Sequence, residues 1–140
     1  MATFNKFNSF VEALAEKVHN LGSDSLVVAL CASANAPTAS NTVLANLTQI
    51  SYTNLSSRAL TQSSSAQSSG TYKLVLNDLV LTSSTGDVAA FRYIVIYNDT
   101  ATNDELIGYY DYGSDLTLHG ANGDTLTIDF DGTNGVLQIA

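Results

Sequence analysis

The sequence predicts a mainly β protein, an antiparallel β-sandwich of jelly-roll-like or Ig-like outline with one N-terminal α-helix. The first observation is a strand pair within residues 91–112, FRYIVIYNDTATNDELIGYYDY, whose first strand carries large apolar side chains on both faces. Such a strand is covered on both sides. The second is a series of short apolar runs after Gly113, separated by glycine-rich turns at about ten-residue spacing, as in sandwiches and barrels. The third is a helical period over residues 4–21.

Length and composition indicate one domain spanning residues 1–140. Of the 140 residues, 45% are hydrophobic and only 13% are charged, which suits a globular protein with a weakly charged surface. The net charge is −8, and the five basic residues are scattered. Because phosphate binding needs clustered lysine and arginine, we expect no nucleic-acid partner. We also expect no membrane span, since no stretch approaches ~20 apolar residues. We expect no secretory signal, since the N-terminal segment carries Glu12 and Glu16 and lacks an unbroken apolar core.

Apolar residues at every third or fourth position predict the N-terminal helix. Thr3 is placed to cap its start, and Gly22 is placed to end it in the left-handed conformation. We expect the apolar stripe to pack on the sheet of its own subunit, with a neighbouring subunit as the alternative. His19 would lie at the negative end of the helix dipole, which explains it without a ligand. The stripe consists of Phe4, Phe7, Val11, Leu14, Val18 and Leu21.

The next segments alternate between a strand and polar connections. Residues 25–32 are predicted to form a buried strand that holds Cys31, the only cysteine, as an inert thiol. Residues 33–41, with the only proline, are predicted to be a loop. Residues 42–50 fit either a short helix or a strand.

Two readings are open for the serine-rich segment 51–70. It is either a low-complexity linker or an edge strand or extended arm. Residues 72–81 are predicted to form a strand, which Asn77 and Asp78 can interrupt with a bulge.

The hairpin of residues 91–112 allows a prediction of strand register. If Asn98 pairs with Glu105, every other cross-strand pair is set. The remaining pairs are then Ile96 with Ile107, Tyr93 with Tyr110, and Arg92 with Asp111. The last pair places opposite charges on neighbouring strands.

Catalytic and metal motifs are weak in this sequence. Asp129 and Asp131 suggest a calcium loop, but the positions of Gly132 and Ala140 do not match an EF-hand, so ordinary turn residues are the better interpretation. A catalytic triad needs a nucleophile beside a histidine, and only His19 and His119 are present, neither beside a nucleophile elbow. We therefore expect no enzyme, no metal and no cofactor. The hairpin tyrosines are expected in a core or subunit interface, with a sugar-stacking platform as the alternative.

A resemblance to a known group extends the prediction. The segments FNKFNSFVEALAEKVHNLGSDSLVVAL (4–30), YKLVLNDL (72–79), FRYIVIYND (91–99) and LIGYYDYG (106–113) resemble small virion proteins of tailed bacteriophages, over nearly the whole chain. Residues 51–69 depart from it, because serines stand where paired glycines are expected.

The resemblance implies a structural protein of the virion, and most readily a head decoration (cement) protein that stabilises the capsid lattice. Its partners would be the major capsid protein and copies of itself, as a homo-oligomer on the virion, assembled in the cytoplasm of a bacterial host. A tail or tail-adaptor component and a carbohydrate-binding adhesin are the alternatives. The residues expected to carry interactions are Phe7, Val11, Leu14, Arg92, Tyr93, Tyr97, Tyr109 and Tyr110.

Overall fold

The computed structural model describes residues 2–140 and shows antiparallel β-sheets with one short α-helix among them. Strand accounts for 40% of the chain and helix of all kinds for 11%, which confirms a mainly β protein. The strands are β1 (Asn5–Lys6), β2 (Leu26–Cys31), β3 (Gln62–Ser68), β4 (Thr71–Leu76), β5 (Leu79–Thr82), β6 (Phe91–Asn98), β7 (Leu106–Leu116), β8 (Thr125–Ile128) and β9 (Leu137–Ile139). The α-helix is α1 (Phe10–Ala15), and short 3-10 turns lie at Ser33–Asn35, Leu44–Asn46 and Gly120–Asn122.

The large sheet has the strand order β1-β7-β6-β2, and β6 lies inside it. The two faces of β6 contact different apolar clusters. Ile94 and Ile96 belong to the main core, whereas Val95 and Tyr97 belong to a second, smaller cluster. The second cluster also contains Phe7, and Leu44 and Leu47 pack against it. The prediction that this strand is covered on both faces is therefore confirmed.

Two smaller sheets share the main core with the large one. Their strand orders are β3-β4-β9 and β5-β8. Leu74 on β4, Leu81 on β5 and Ile128 on β8 all belong to the same buried cluster as Ile94 of the large sheet. The hydrophobic effect that holds the three sheets together thus acts at one common core.

The predicted helix over residues 4–21 is wrong in extent, because α1 covers only Phe10–Ala15. Asn5 and Lys6 instead pair with β7, so tertiary strand pairing satisfies backbone groups that a helix would have used. Lys17 has a φ of 68°, outside the right-handed helical region, and the helix has ended before it. Neither Thr3 nor Gly22 is a cap; Ser9 occupies the N-cap position and Glu16 the C-cap position.

The predicted strand register of the hairpin is confirmed next to the turn, but the observed register differs from it beyond Tyr97. The Asn98 N–H donates to the Glu105 carbonyl at 3.0 Å, as predicted. A bulge then leaves Ile107 without a direct partner, so Ile96 lies opposite Gly108 and Tyr93 lies opposite Asp111. The predicted cross-strand pairs Ile96 with Ile107, Tyr93 with Tyr110 and Arg92 with Asp111 are wrong as direct neighbours for this reason.

Glycine at position 108 allows the N-terminal strand to approach β7. Gly108 pairs with Lys6 of β1, and a side chain there would run into the ring of Phe4 and the carbonyl of Asn5. The close backbone approach explains why glycine occupies this point of an otherwise apolar strand.

The segment predicted as one strand over residues 72–81 is divided between two sheets. Asn77 and Asp78 separate β4 from β5, and Asp78 Oδ1 accepts a hydrogen bond from the Phe130 N–H at 3.0 Å. The interruption is confirmed, although it redirects the chain into another sheet. The serine-rich segment contains an edge strand, β3, which pairs with β4, so the edge-strand reading is correct for residues 62–68.

The structure of the remaining segments agrees with the predictions that named one type of secondary structure. β2 matches the predicted buried strand, and residues 33–41 contain a short 3-10 turn within a loop. Residues 42–50, left open between helix and strand, contain the 3-10 turn Leu44–Asn46. The Asn46 side chain accepts hydrogen bonds from the N–H groups of Thr42 and Val43, at 2.9 and 3.2 Å. This local capping explains why a short turn forms there.

Candidate functional site

The eight residues expected to carry interactions do not share one surface. Tyr97 and Phe7 are buried, Val11 is 53% exposed, and the others are half-buried. Val11 was expected in a buried stripe, and that expectation is wrong because the short helix turns this side chain outward. The half-buried members are Leu14, Arg92, Tyr93, Tyr109 and Tyr110.

Most hairpin tyrosines pack against other aromatic side chains. Phe7 and Tyr109 have ring centroids 5.2 Å apart, and Tyr93 and Tyr109 meet edge to face at 6.5 Å. Tyr97 is only 5% exposed. These residues form part of the second cluster described above, and aromatic pairs at such distances stabilise a core beyond their buried area.

A second aromatic series lies on the main-core side of β7. Tyr110 contacts Phe4 at 5.4 Å and Phe130 at 6.2 Å between ring centroids. Burial raises the pKa of Tyr110 to about 12, so its hydroxyl stays neutral at physiological pH. Of the five hairpin tyrosines, Tyr112 is the largely exposed one, at 49%.

Although Asp111 lies opposite Tyr93 and not opposite Arg92, the side chains of Arg92 and Asp111 meet in an ion pair with two hydrogen bonds. Arg92 Nε and Nη2 donate to the two carboxylate oxygens of Asp111 at 2.6 and 2.8 Å. The guanidinium also lies 5.2 Å from the centroid of the Tyr93 ring. The hydrogen bonds from Arg92 hold the pKa of Asp111 below its usual value. Both side chains are about a third exposed, so the pair orders this end of the hairpin more than it adds stability.

A buried polar cluster lies at the other end of the hairpin, and it was not predicted from the sequence. Asn98 is fully buried, and its Oδ1 accepts the main-chain N–H groups of Thr100 at 3.0 Å and Ala101 at 3.2 Å. Its amide nitrogen is therefore oriented as the donor. That nitrogen lies 2.7 Å from Asp24 Oδ2 and 3.0 Å from His19 Nδ1. The only signal in the sequence was an asparagine closing an apolar strand, which is ordinary before a turn.

This arrangement holds His19 neutral. Because Asn98 donates to Nδ1, the ring proton sits on Nε2, which is buried without a hydrogen-bond partner among residues 2–140. Burial lowers the pKa of His19 below 6.5, although Glu105 and Asp24 act in the opposite direction. His19 is thus a core residue 4% exposed, not a helix-end charge as expected.

The side chains considered for chemistry have structural explanations. Asp131 accepts hydrogen bonds from the N–H groups of Thr133 and Asn134 at 2.8 and 2.7 Å, which is a side-chain-closed turn. Cys31 is fully buried, and burial raises the pKa of its thiol to about 11. His119 Nδ1 lies 3.1 Å from Asp87 Oδ2, but both side chains are more than half exposed. Within residues 2–140, no group of three His, Cys, Asp or Glu side chains is arranged to hold a metal ion.

An apolar groove lies on the surface beside β8. It has a volume of about 580 Å³ and lies between the large sheet and β8. Its floor is apolar, with Phe4, Ile94, Tyr110 and Val136 among the lining residues. We call it the edge groove. Its remaining lining residues are Ala2, Tyr112, Leu126, Thr127, Ile128, Asp129, Asp131 and Gly135.

None of the helices within residues 2–140 has the length and apolar character needed to cross a membrane.

Comparison with known proteins adds no family assignment. Searches of the chain against family models, curated proteins and solved structures gave no match in any of the three.

Proposed function

We propose that the protein is a structural protein of a tailed-bacteriophage virion, and specifically a head decoration protein that contacts the major capsid protein and further copies of itself. The observation that carries this proposal is the resemblance of residues 4–30, 72–79, 91–99 and 106–113 to such virion proteins. It acts as a non-enzymatic component of the particle, without a cofactor.

The packing of the hairpin tyrosines supports a structural role. A sugar-binding platform needs several aromatic faces open to solvent, whereas Tyr97 is buried and Tyr93 and Tyr109 are half-buried against each other and Phe7. One largely exposed tyrosine, Tyr112, does not make such a platform. The aromatic content of this hairpin thus serves packing, as expected of a protein that holds others together.

The surface supports the same role. Among residues 2–140, four large apolar side chains are exposed by 40% or more, namely Val11, Val80, Tyr112 and Ile139. Apolar and aromatic side chains are favoured in protein interfaces, and a surface with few charges costs little to desolvate. The 13% charged content and the net charge of −8 fit contacts with protein better than contacts with nucleic acid.

We further propose that the three sheets form a sandwich of the jelly-roll-like or Ig-like kind. The shared main core between the large sheet and the two smaller ones supports this description. A sandwich would be a rigid body that presents its edges and loops to neighbouring subunits.

The mechanism is additive burial. Each copy would bury a modest apolar area against the capsid lattice, and the many copies on one particle would together resist expansion and rupture. Capsid assembly itself would not require the protein, because decoration acts on a lattice already formed.

The test is a comparison of complete virions with virions lacking this protein. We expect the protein in gradient-purified virions, in many copies per particle by quantitative mass spectrometry. Particles without it should still form, but they should release DNA at a lower temperature or at low ionic strength. Release is measured by dye accessibility during heating, and adding purified protein back should restore the complete-particle profile.

Two alternative functions predict different results. Particles lacking an adhesin would be as heat-resistant as complete ones but would fail to adsorb to cells. Particles lacking a tail or tail-adaptor protein would show heads without functional tails in electron micrographs. Absence of the protein from purified virions would contradict all three virion roles.

A further inference from the structure

We propose that the edge groove binds an extended segment of a partner protein, one that adds a strand to β8 and carries both apolar and basic side chains. The inference deepens the proposed function by naming the surface that meets the capsid and the kind of segment it takes. Only the identification of the partner as a capsid protein rests on that function.

The first argument is the strand edge. β8 pairs with β5 on one side and has no strand on its other side within residues 2–140. Three consecutive residues of β8, Leu126, Thr127 and Ile128, line the groove. Because successive side chains of a strand point to opposite faces, the groove runs along the edge of the strand, where main-chain groups can pair with an added strand.

Two other strand edges are covered or lack an apolar floor. Residues 58–60 run along the outer edge of β2, where the Val28 N–H donates to the Arg58 carbonyl at 3.0 Å and the Leu60 N–H donates to the Leu26 carbonyl at 2.9 Å. β3 is an edge strand of serine, alanine and glutamine and has no buried residue. At β8, by contrast, an added strand would lie beside large apolar side chains.

The second argument is the floor of the groove. Ile94 and Tyr110 lie opposite each other on neighbouring strands, and Phe4 packs on Tyr110. Ile94, Ile128 and Val136 form the deepest part of the groove and are already 8% exposed or less, so the apolar surface that remains open is that of Phe4, Tyr110, Tyr112 and Leu126. Alternate side chains of an added strand would contact these partly exposed side chains and close them from water, which is favourable in proportion to the area buried.

The third argument is charge. Asp129 and Asp131 stand among the groove residues, and no lysine or arginine of residues 2–140 is among them. Hydrogen bonds from Asn134 and Thr133 keep the pKa of Asp131 low, and the nearby Lys73 acts in the same direction. Because Lys73 also offsets part of the charge of Asp131, the more open negative charge of the rim is that of Asp129. Asp129 is exposed. A segment with basic side chains therefore complements this rim, whereas a segment from another copy of this chain, whose net charge is −8, does so less well.

The test uses two synthetic peptides and the isolated protein. One peptide is Lys-Val-Lys-Val-Lys-Val-Lys with blocked ends, and the other has glutamate in place of each lysine. Isotope-labelled protein is titrated with each and followed by amide chemical shifts. We expect the lysine peptide to shift amides of residues 110–112 and 125–131, and the glutamate peptide to bind at least about tenfold more weakly.

Two variants and one matched control sharpen the result. Asp129→Lys should weaken the lysine peptide by about fivefold or more, since it removes an attraction and adds a repulsion. Tyr112→Ala should weaken it by removing an exposed aromatic contact. Glu16→Lys makes the same charge change as Asp129→Lys at an exposed position outside the groove, and it should leave affinity for the peptide within about twofold. All three positions are exposed, so unchanged melting temperatures are expected.

Several outcomes would overturn the inference. These are no binding of either peptide, equal binding of both, shifts spread over the acidic surface around Glu12 and Glu16, or equal weakening by Glu16→Lys. Binding of a small amphiphilic dye such as anilinonaphthalene sulfonate in the groove, with no peptide effect on β8, would also overturn it and assign a small-molecule pocket. The peptide test does not involve virions. If the lysine peptide binds but the protein is absent from purified virions, the groove is a binding site and the proposed function is rejected. If the protein is present in virions but the peptide does not bind, the proposed function stands and the groove inference is rejected.

Discussion

Replacing Asn98 with alanine tests whether the buried polar cluster is a major source of stability. In the native protein the Asn98 side chain makes four hydrogen bonds, with the N–H groups of Thr100 and Ala101, with Asp24 and with His19. Each such bond contributes about 1 kcal/mol, and a buried group left without a partner costs about 1–3 kcal/mol. We therefore expect Asn98→Ala to lower the free energy of unfolding by about 4 kcal/mol.

That loss would be a large part of the ~5–15 kcal/mol typical of a native domain. It is measured by urea unfolding followed by circular dichroism, with the slope of the transition checked for two-state behaviour. The matched control is Asn103→Ala, on the same turn but exposed and bonded only to Glu105, which should change stability by less than about 0.5 kcal/mol. A loss below about 1 kcal/mol for Asn98→Ala would refute the reasoning, because it would mean that water or rearranged neighbours satisfy the cluster equally well.

Three further predictions follow from burial. The pKa of His19 is lower in the folded protein than its ordinary 6.5, so the unfolded chain binds the proton more readily. Stability should be complete above about pH 6.5 and should fall as the pH is lowered from 6.5 towards 5, and His19→Gln should remove that slope from melting curves. Val11→Asp should cost less than about 0.5 kcal/mol, since Val11 is 53% exposed. Phe10→Asp should cost several kcal/mol or prevent folding, since Phe10 is 4% exposed. Tyr97→Ala should cost about 3–5 kcal/mol and Tyr112→Ala less than about 0.5, so equal effects in chemical unfolding would contradict the assigned burial.

The strands of the large sheet could be read from the sequence because their signal is local. Leu26–Cys31 is a continuous apolar run, and Phe91–Asn98 alternates large apolar side chains on two faces. Both patterns are sufficient to predict a strand covered on each side, since strand geometry converts order in sequence directly into faces. The pairing of Asn98 with Glu105 at the turn was predicted from the same segment. The side chains of Arg92 and Asp111 also meet as expected, although the bulge places Asp111 opposite Tyr93.

The N-terminal segment shows where local reasoning fails. The spacing from Phe4 to Leu21 matches a helix, yet Asn5 and Lys6 form a strand on β7. A periodic pattern shows which residues are apolar, but it does not show which strand or helix they pack against in the folded protein. Pairing with β7 gives the backbone hydrogen bonds and buries Phe7, and helix propensity is too small to compete with that.

Two features of the molecule depended wholly on the tertiary structure. Asn98, His19 and Asp24 are distant in sequence, and only the closure of the large sheet brings them together as a buried cluster. The edge groove likewise combines β8 with Phe4 and Tyr110 from the other end of the chain and the hairpin. The sequence by itself determined the apolar strands, the turn and the acidic balance, because these arise from neighbouring residues and composition. The strand partners, the bulge at Ile107 and the position of the β8 edge beside the groove depend on contacts between segments far apart in the chain, so they became visible only in the folded structure.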